Sequence, residues 1–129
     1  MLKRILYLLI VLVSVPTFAT HNRAGEITFK HISGLTYGIT VTTYTKASSL
    51  ADRPNLELFW GDGTSVDSIP RIDSVTVGNN IRKNTYYDEH TYPGPAPGPY
   101  LIKIEDPNRN AGLINMPNSV NVVFYLETE

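Results

Sequence analysis

The sequence predicts an all-β domain: about seven short antiparallel strands in two sheets, packed as a β-sandwich. Three observations carry this expectation. Apolar and polar residues alternate with period two through most of residues 20–129. Gly, Pro, Asn and Asp cluster between the alternating runs, where tight turns need them. Apolar residues spaced three and four apart, the mark of a helix face, are nearly absent.

The elements follow in order. In Gly25 to His31, Ile27 and Phe29 alternate with Glu26, Thr28 and Lys30. After a short hairpin connection ending at Gly34, the run Leu35 to Thr45 puts Leu35, Tyr37, Ile39 and Val41 on one face with threonines opposite. Leu56, Leu58 and Trp60 alternate with Glu57 and Phe59. Val75 and Val77 mark a weaker strand, and Gly78-Asn-Asn80 separates it from Arg82 to Tyr92, which is β-prone but polar. Pro93 to Pro99 is a stiff loop, barred from a central strand because proline offers no ladder donor. Tyr100, Ile102 and Ile104 alternate with Leu101, Lys103 and Glu105. Asp106 to Asn118 reads as a long ordered loop, and Val120, Val122, Phe124 and Leu126 form the last strand. Ile39, Val41, Leu58, Trp60, Ile102, Ile104, Val122 and Phe124 are the expected core between the sheets.

The N-terminus has a different character. Lys3 and Arg4 precede an unbroken apolar run from Ile5 to Val13; Pro16 breaks its extension, and Thr17-Phe-Ala19 supplies small residues at a cleavage site. Residues 1–19 therefore read as a cleaved secretory signal peptide, and 20–129 as the exported domain. The run is short of the roughly 20 apolar residues a membrane-spanning helix needs, and no second such run follows in the mature chain. Without Lys3 and Arg4, nine basic residues face twelve acidic ones, a formal charge of −3. That balance disfavours nucleic acid as a partner. With no cysteine, the fold has no disulfide to lean on.

Trp60-Gly-Asp-Gly-Thr64 is the most informative segment. Its glycines suit positive φ, so Gly61 or Gly63 is expected there, and Asp62 can bond nearby amides. With Glu89-His-Thr-Tyr-Pro93 and Gly98-Pro-Tyr-Leu-Ile102, it resembles the polycystic-kidney-disease (PKD) domain, an immunoglobulin-like sandwich. Thr20-His-Asn-Arg-Ala-Gly-Glu-Ile27, Thr42-Thr-Tyr-Thr45 and Asp106-Pro-Asn-Arg-Asn-Ala-Gly112 bring the resemblance closer to the PKD-like N-terminal module of gliding-motility-associated, type IX-secreted surface proteins of Bacteroidota. The resemblance implies an extracellular interaction or spacer module of the adhesion or surface-assembly type, with no defined binding residues. The Pro93 to Pro99 loop is longer and richer in proline than that family's connection.

Tyr100 fits a tyrosine corner, its phenol bonding backbone upstream, and Trp60 is expected in the core, with a sugar-stacking platform as the alternative. His21, His31 and His90 show no metal-ligand spacing, and no serine sits in a nucleophile motif. The neighbouring carboxylates Asp88-Glu89 and Glu105-Asp106 point to opposite strand faces, so neither pair converges on a substrate. Asp106, Asn108 and Asn110 alternate as calcium-loop ligands do, against an Asx-turn reading in which they satisfy their own backbone. Ser68 and Ser74 lie in Asp-Ser-aliphatic triplets, the acceptor pattern for O-glycosylation in Bacteroidota.

The expectation is a non-catalytic module with no cofactor unless calcium binds, serving a secreted or cell-surface, outer-membrane-associated protein. Its partners would be other domains, surface proteins or glycans. A carbohydrate-binding module and a small secreted hydrolase are the alternatives. The two proline- and asparagine-rich loops are the expected contact surface, with Tyr92, Arg109 and Asn110 as exposed contacts. Export makes a direct prediction: protein recovered from the native host begins at Thr20, whereas N-terminal sequencing that reads an intact Met1 would contradict cleavage.

Overall fold

The computed structural model describes residues 22–50, 52–64 and 67–129. The expected signal peptide, residues 1–19, lies outside them. Seven strands form: β1 (Asn22–Ser33), β2 (Thr36–Lys46), β3 (Asn55–Phe59), β4 (Asp67–Gly78), β5 (Ile81–Thr91), β6 (Ile102–Asp106) and β7 (Phe124–Thr128). Each run of alternating residues contributes a strand, with Leu35, Trp60, Tyr100, Val120 and Val122 left outside. Val75 and Val77, read as a weak strand, are the end of a strand 12 residues long.

Local chemistry sets the hairpins. The β4–β5 turn has two residues, Asn79 and Asn80, at φ of 49° and 56°. Left-handed φ at both central positions is what the right-handed twist of a hairpin favours, and asparagine tolerates it better than most residues. Gly34 takes φ of 52° in the β1–β2 connection.

The sheet overturns the sandwich expectation. The ladders run without a break in the order β1-β2-β5-β4-β3-β6-β7, every neighbouring pair antiparallel. β4 makes this possible. Asp67 to Pro70 pair with β3, while Arg71 to Gly78 pair with β5. Irregularities in the β5 ladder fall between Arg71 and Asp73 and between Thr76 and Gly78, and such bulges bend a strand. One curled sheet results, nearly closing into a barrel. The expected pair of separate immunoglobulin-like sheets does not form, and the likeness to a PKD module fails at the level of architecture.

Closure brings β1 against β7. Gly25 permits it: a Cβ there would lie 2.7 Å from the Thr42 carbonyl oxygen, 2.8 Å from Leu126 Cδ1 and 3.2 Å from Phe124 Cζ. The start of β1 is clamped as well. The Asn22 N–H donates to Asn108 O at 2.9 Å, and the Asn110 N–H donates to Asn22 O at 3.1 Å.

The core fills the barrel with Ile39, Val41, Leu56, Leu58, Trp60, Ile69, Tyr86, Tyr92, Ile102, Ile104 and Phe124. Seven of the eight expected core residues are among them. Val122 is the exception, 39% exposed. A short 3-10 turn at Ser119–Asn121 delays β7 until Phe124, so Val120 and Val122 precede the strand and never acquire its inward face. In compensation β4 and β5 supply Ile69 and Tyr86.

Gly25→Ala tests the closure. Its methyl group must displace backbone as well as side chains, so a loss of about 1–3 kcal/mol, the usual cost of overpacking, is expected in denaturant unfolding. A neutral variant would mean that β1 does not pack tightly on β7.

Candidate functional site

The segment that follows β3 builds one end of the barrel. Gly61 and Gly63 both take positive φ, 83° and 81°. A Cβ on Gly61 would sit 2.5 Å from the Leu101 carbonyl oxygen, so this glycine is required twice over, by conformation and by close approach. The turn aims Asp62 inward, and its side chain is 1% exposed. Asp62 Oδ1 accepts the Thr64 N–H at 3.0 Å and the Thr64 hydroxyl at 2.6 Å. Its Oδ2 lies 2.7 Å from His90 Nε2. Burial alone would raise this carboxyl's pKa, but the Thr64 hydroxyl, His90 and the Thr64 N–H outweigh it and hold it down at about 2.

His90 starts a chain of rings. It stacks on Trp60 with centroids 4.5 Å apart and 8° between planes, and meets Tyr92 edge-on at 4.7 Å. Tyr92 stacks on Tyr100 at 4.1 Å, and Tyr37 approaches Tyr92 at 6.0 Å. The Tyr92 hydroxyl donates to Trp60 O, closing the loop back to the turn. Burial, aided by the Asp62 charge and the neighbouring tyrosines, pushes the Tyr92 phenol up to about 12. The Tyr100 hydroxyl donates to Gly94 O, six residues upstream, as a tyrosine corner does. Trp60 is 1% exposed, which removes it as a sugar platform.

A cleft of about 360 Å³ opens beside this stack. Phe29, Leu35 and Tyr37 wall one side, and Pro95, Pro99 and Tyr100 the other, with Glu129 as the only charged residue lining it. Sequence reading named the Pro93 to Pro99 loop as a contact surface but missed the β1–β2 wall. The signal was the surplus of exposed apolar residues at that hairpin, Phe29, Ile32 and Leu35.

The opposite end is polar. Arg71 forms a two-pronged pair with Asp52 and reaches Asn84, and buried Asn84 also bonds Ser74 and Thr45. Here lies the calcium candidate. Asp106 Oδ1 accepts the Asn108 N–H at 2.9 Å and its side-chain amide at 2.8 Å, while Oδ2 faces Arg53 Nε at 3.3 Å. Asp106 thus meets proton donors in an Asx turn rather than fellow oxygen ligands. Among the described residues no group of three or more His, Cys, Asp or Glu could hold a metal ion.

The expected exposed contacts are placed differently. Tyr92 is 6% exposed, inside the core. Arg109 is half-buried, donating to Val123 O at 2.9 Å with its guanidinium 5.4 Å from the Phe124 ring centre. Asn110 is half-buried too, its carbonyl accepting the Ser119 hydroxyl. These two hold the long loop onto the barrel. Ser68 and Ser74 lie on the exposed part of β4, with the Ser74 hydroxyl bonded to Asn84. Neither carboxylate pair converges: Glu105 pairs with Lys103 outside while Asp106 is buried, and Glu89 takes the Tyr87 hydroxyl while Asp88 caps the Glu89 N–H.

Asp62 and His90 form the one His–carboxylate pair among the described residues, a link sequence reading did not make. Among the described residues no hydroxyl bonds His90, and its ring is held between Trp60 and Tyr92. Because the folded-state pKa of Asp62 lies below the ordinary 3.8, its stabilisation is complete above that value and is lost as pH falls through about 2. Asp62→Asn should therefore unfold more readily than the parent at pH 6, and the gap should close between about pH 4 and about pH 2. A carboxyl NMR titration showing an ordinary value for Asp62 would refute this.

Compared with protein-family models, with curated proteins and with solved structures, the chain matches none. Together with the single curled sheet, this leaves the PKD-like, gliding-motility and Bacteroidota assignments without support, and the motifs that suggested them stand as local devices of this fold. No described helix is long and apolar enough to cross a membrane. In general terms the chain is a compact all-β domain without cysteine or a metal-binding cluster among its described residues.

Proposed function

We propose that this chain is an exported, non-catalytic interaction module that engages a protein partner through the aromatic cleft. The cleft is the observation that carries the reading. It is concave, almost wholly apolar and open to solvent, and its walls are braced by the Trp60–His90–Tyr92–Tyr100 stack. A preformed apolar recess of this size accepts one or two large side chains of a partner at little cost in ordering. Glycans need several hydrogen-bonding groups, and this lining offers few beyond Glu129.

The non-catalytic part of the reading rests on how the reactive groups are used. Asp62 and His90, the pair best suited to acid–base work, are committed to the turn and to Trp60. Export rests on the basic, apolar and small-residue pattern of residues 1–19.

Leu35 and Phe29, exposed on the cleft wall, provide the test. Envelope proteins cross-linked to the purified chain are identified and re-measured singly. Leu35→Asp and Phe29→Asp should weaken a genuine cleft partner at least tenfold, since each removes an apolar contact worth about 1.5–3 kcal/mol when fully buried, with the circular dichroism spectrum unchanged. Binding indifferent to both substitutions would leave the domain as a spacer. Saturable binding of a soluble glycan, or a hydrolase activity abolished by His90→Ala, would replace the proposal.

A further inference from the structure

The outer part of β4 carries an unused ladder edge. β4 has 12 residues and β3 only five, and their ladder ends at Asn55–Pro70. The Arg71 N–H still donates to Pro54 O at 2.8 Å; beyond Arg71, β4 is paired on one side only, to β5. Among the described residues, no backbone hydrogen bond outside the ladders involves residues 72–78. A strand directs N–H and C=O groups to both sides, so about half of those in this stretch face solvent. Every residue from Ile72 to Gly78 is exposed, including Ile72 at 61%, Val75 at 47% and Val77 at 54%.

Edges are usually guarded by Lys, Pro or inward-pointing charges. Here Pro70 and Arg71 stand before the open stretch, the Asn79–Asn80 turn ends it, and Asp73 is its only charge. The two irregularities bracket Asp73 to Thr76, which keep regular register with β5. We propose that this edge pairs antiparallel with the same edge of a second copy of the chain, on a two-fold axis at Val75.

Self-complementarity selects both the occupant and the register. A two-fold axis normal to the sheet sets residues of like facing opposite each other, so the axis must pass through a residue pair. Centred on Val75, Val75 meets Val75, Ser74 meets Thr76, and Asp73 meets Val77. Apolar groups face one another at the centre, and hydroxyls meet where cross-strand Ser–Thr bonding is favourable. Centring on Asp73 opposes two carboxylates. Centring on Thr76 or Val77 extends the ladder onto Asn79, whose left-handed φ cannot continue a strand. Centring on Ser74 sets Asp73 opposite Val75 and leaves Val75 without an apolar partner. Five residues per chain, Asp73 to Val77, bury less than the roughly 1,000 Å² of a stable dimer, so the association is weak and reversible.

Sedimentation equilibrium of the purified chain, its intact mass showing Ser74 free of sugar, tests this between about 10 µM and about 1 mM, the range proper to so small an interface. The parent should pass from monomer to dimer. Val75→Lys and Val75→Glu should each remain monomeric with unchanged circular dichroism, because each sets like charges face to face on the axis. An equimolar mixture of the two should dimerise again, since Lys then opposes Glu. A parent that stays monomeric at about 1 mM, a dimer that survives either substitution, or a mixture that fails to associate overturns the proposal.

Discussion

β4 belongs to both halves of the sheet, and the architecture depends on that. Its first four residues complete a ladder with β3, and the rest complete one with β5. A strand shared in this way cannot lie flat, because its two neighbours draw it to different sides of the core. The bulge after Arg71 relieves the conflict by bending the chain there. The bend carries β3, β6 and β7 around until β7 reaches β1, and Gly25 lets the two meet without a side chain between them. The sharing also leaves the end of β4 with a neighbour on one side only.

The near-closure gives the barrel two unlike ends. At one end Asp62, His90, Trp60, Tyr92 and Tyr100 form a braced unit: the Asp62 carboxylate meets His90, and the Tyr92 and Tyr100 hydroxyls donate to the Trp60 and Gly94 carbonyls. A rigid unit of this kind holds an apolar cleft open, where a softer core would collapse into it. At the other end Arg71 joins Asp52 to Asn84, and Asp106 meets Asn108 and Arg53, around the loops that lead into β3 and out of β6. That end is a polar network, and the apolar cleft lies at the other.

Most strands were legible because one face is patterned by burial, and burial on one face imposes period two; the exposed end of β4, with Val75 and Val77, showed only β-branched composition. Ile39 and Val41, Leu58, Ile102 and Ile104 announce themselves in this way. So did the glycines at 61 and 63, since a tight turn after a strand leaves little other chemistry. Tyr100 was legible as a tyrosine corner from its position after Gly98. Val122 misled because alternation in Val120, Val122, Phe124 and Leu126 continues through a 3-10 turn that no propensity distinguishes from a strand start.

The sequence by itself determined the strand content, the turn positions, most of the core and the unusual character of residues 1–19. It did so because propensity, periodicity and turn chemistry act within a few residues of one another. The tertiary structure decided which strands adjoin. Two sheets or one curled sheet have the same alternation on every strand; the difference lies in whether β4 is long enough, and bent enough, to serve two neighbours. It decided too that Asp62 meets His90 across 28 residues, and that Tyr92 and Arg109 turn inward. Those outcomes depend on contacts between segments far apart in the chain, and no local pattern encodes the distance between them.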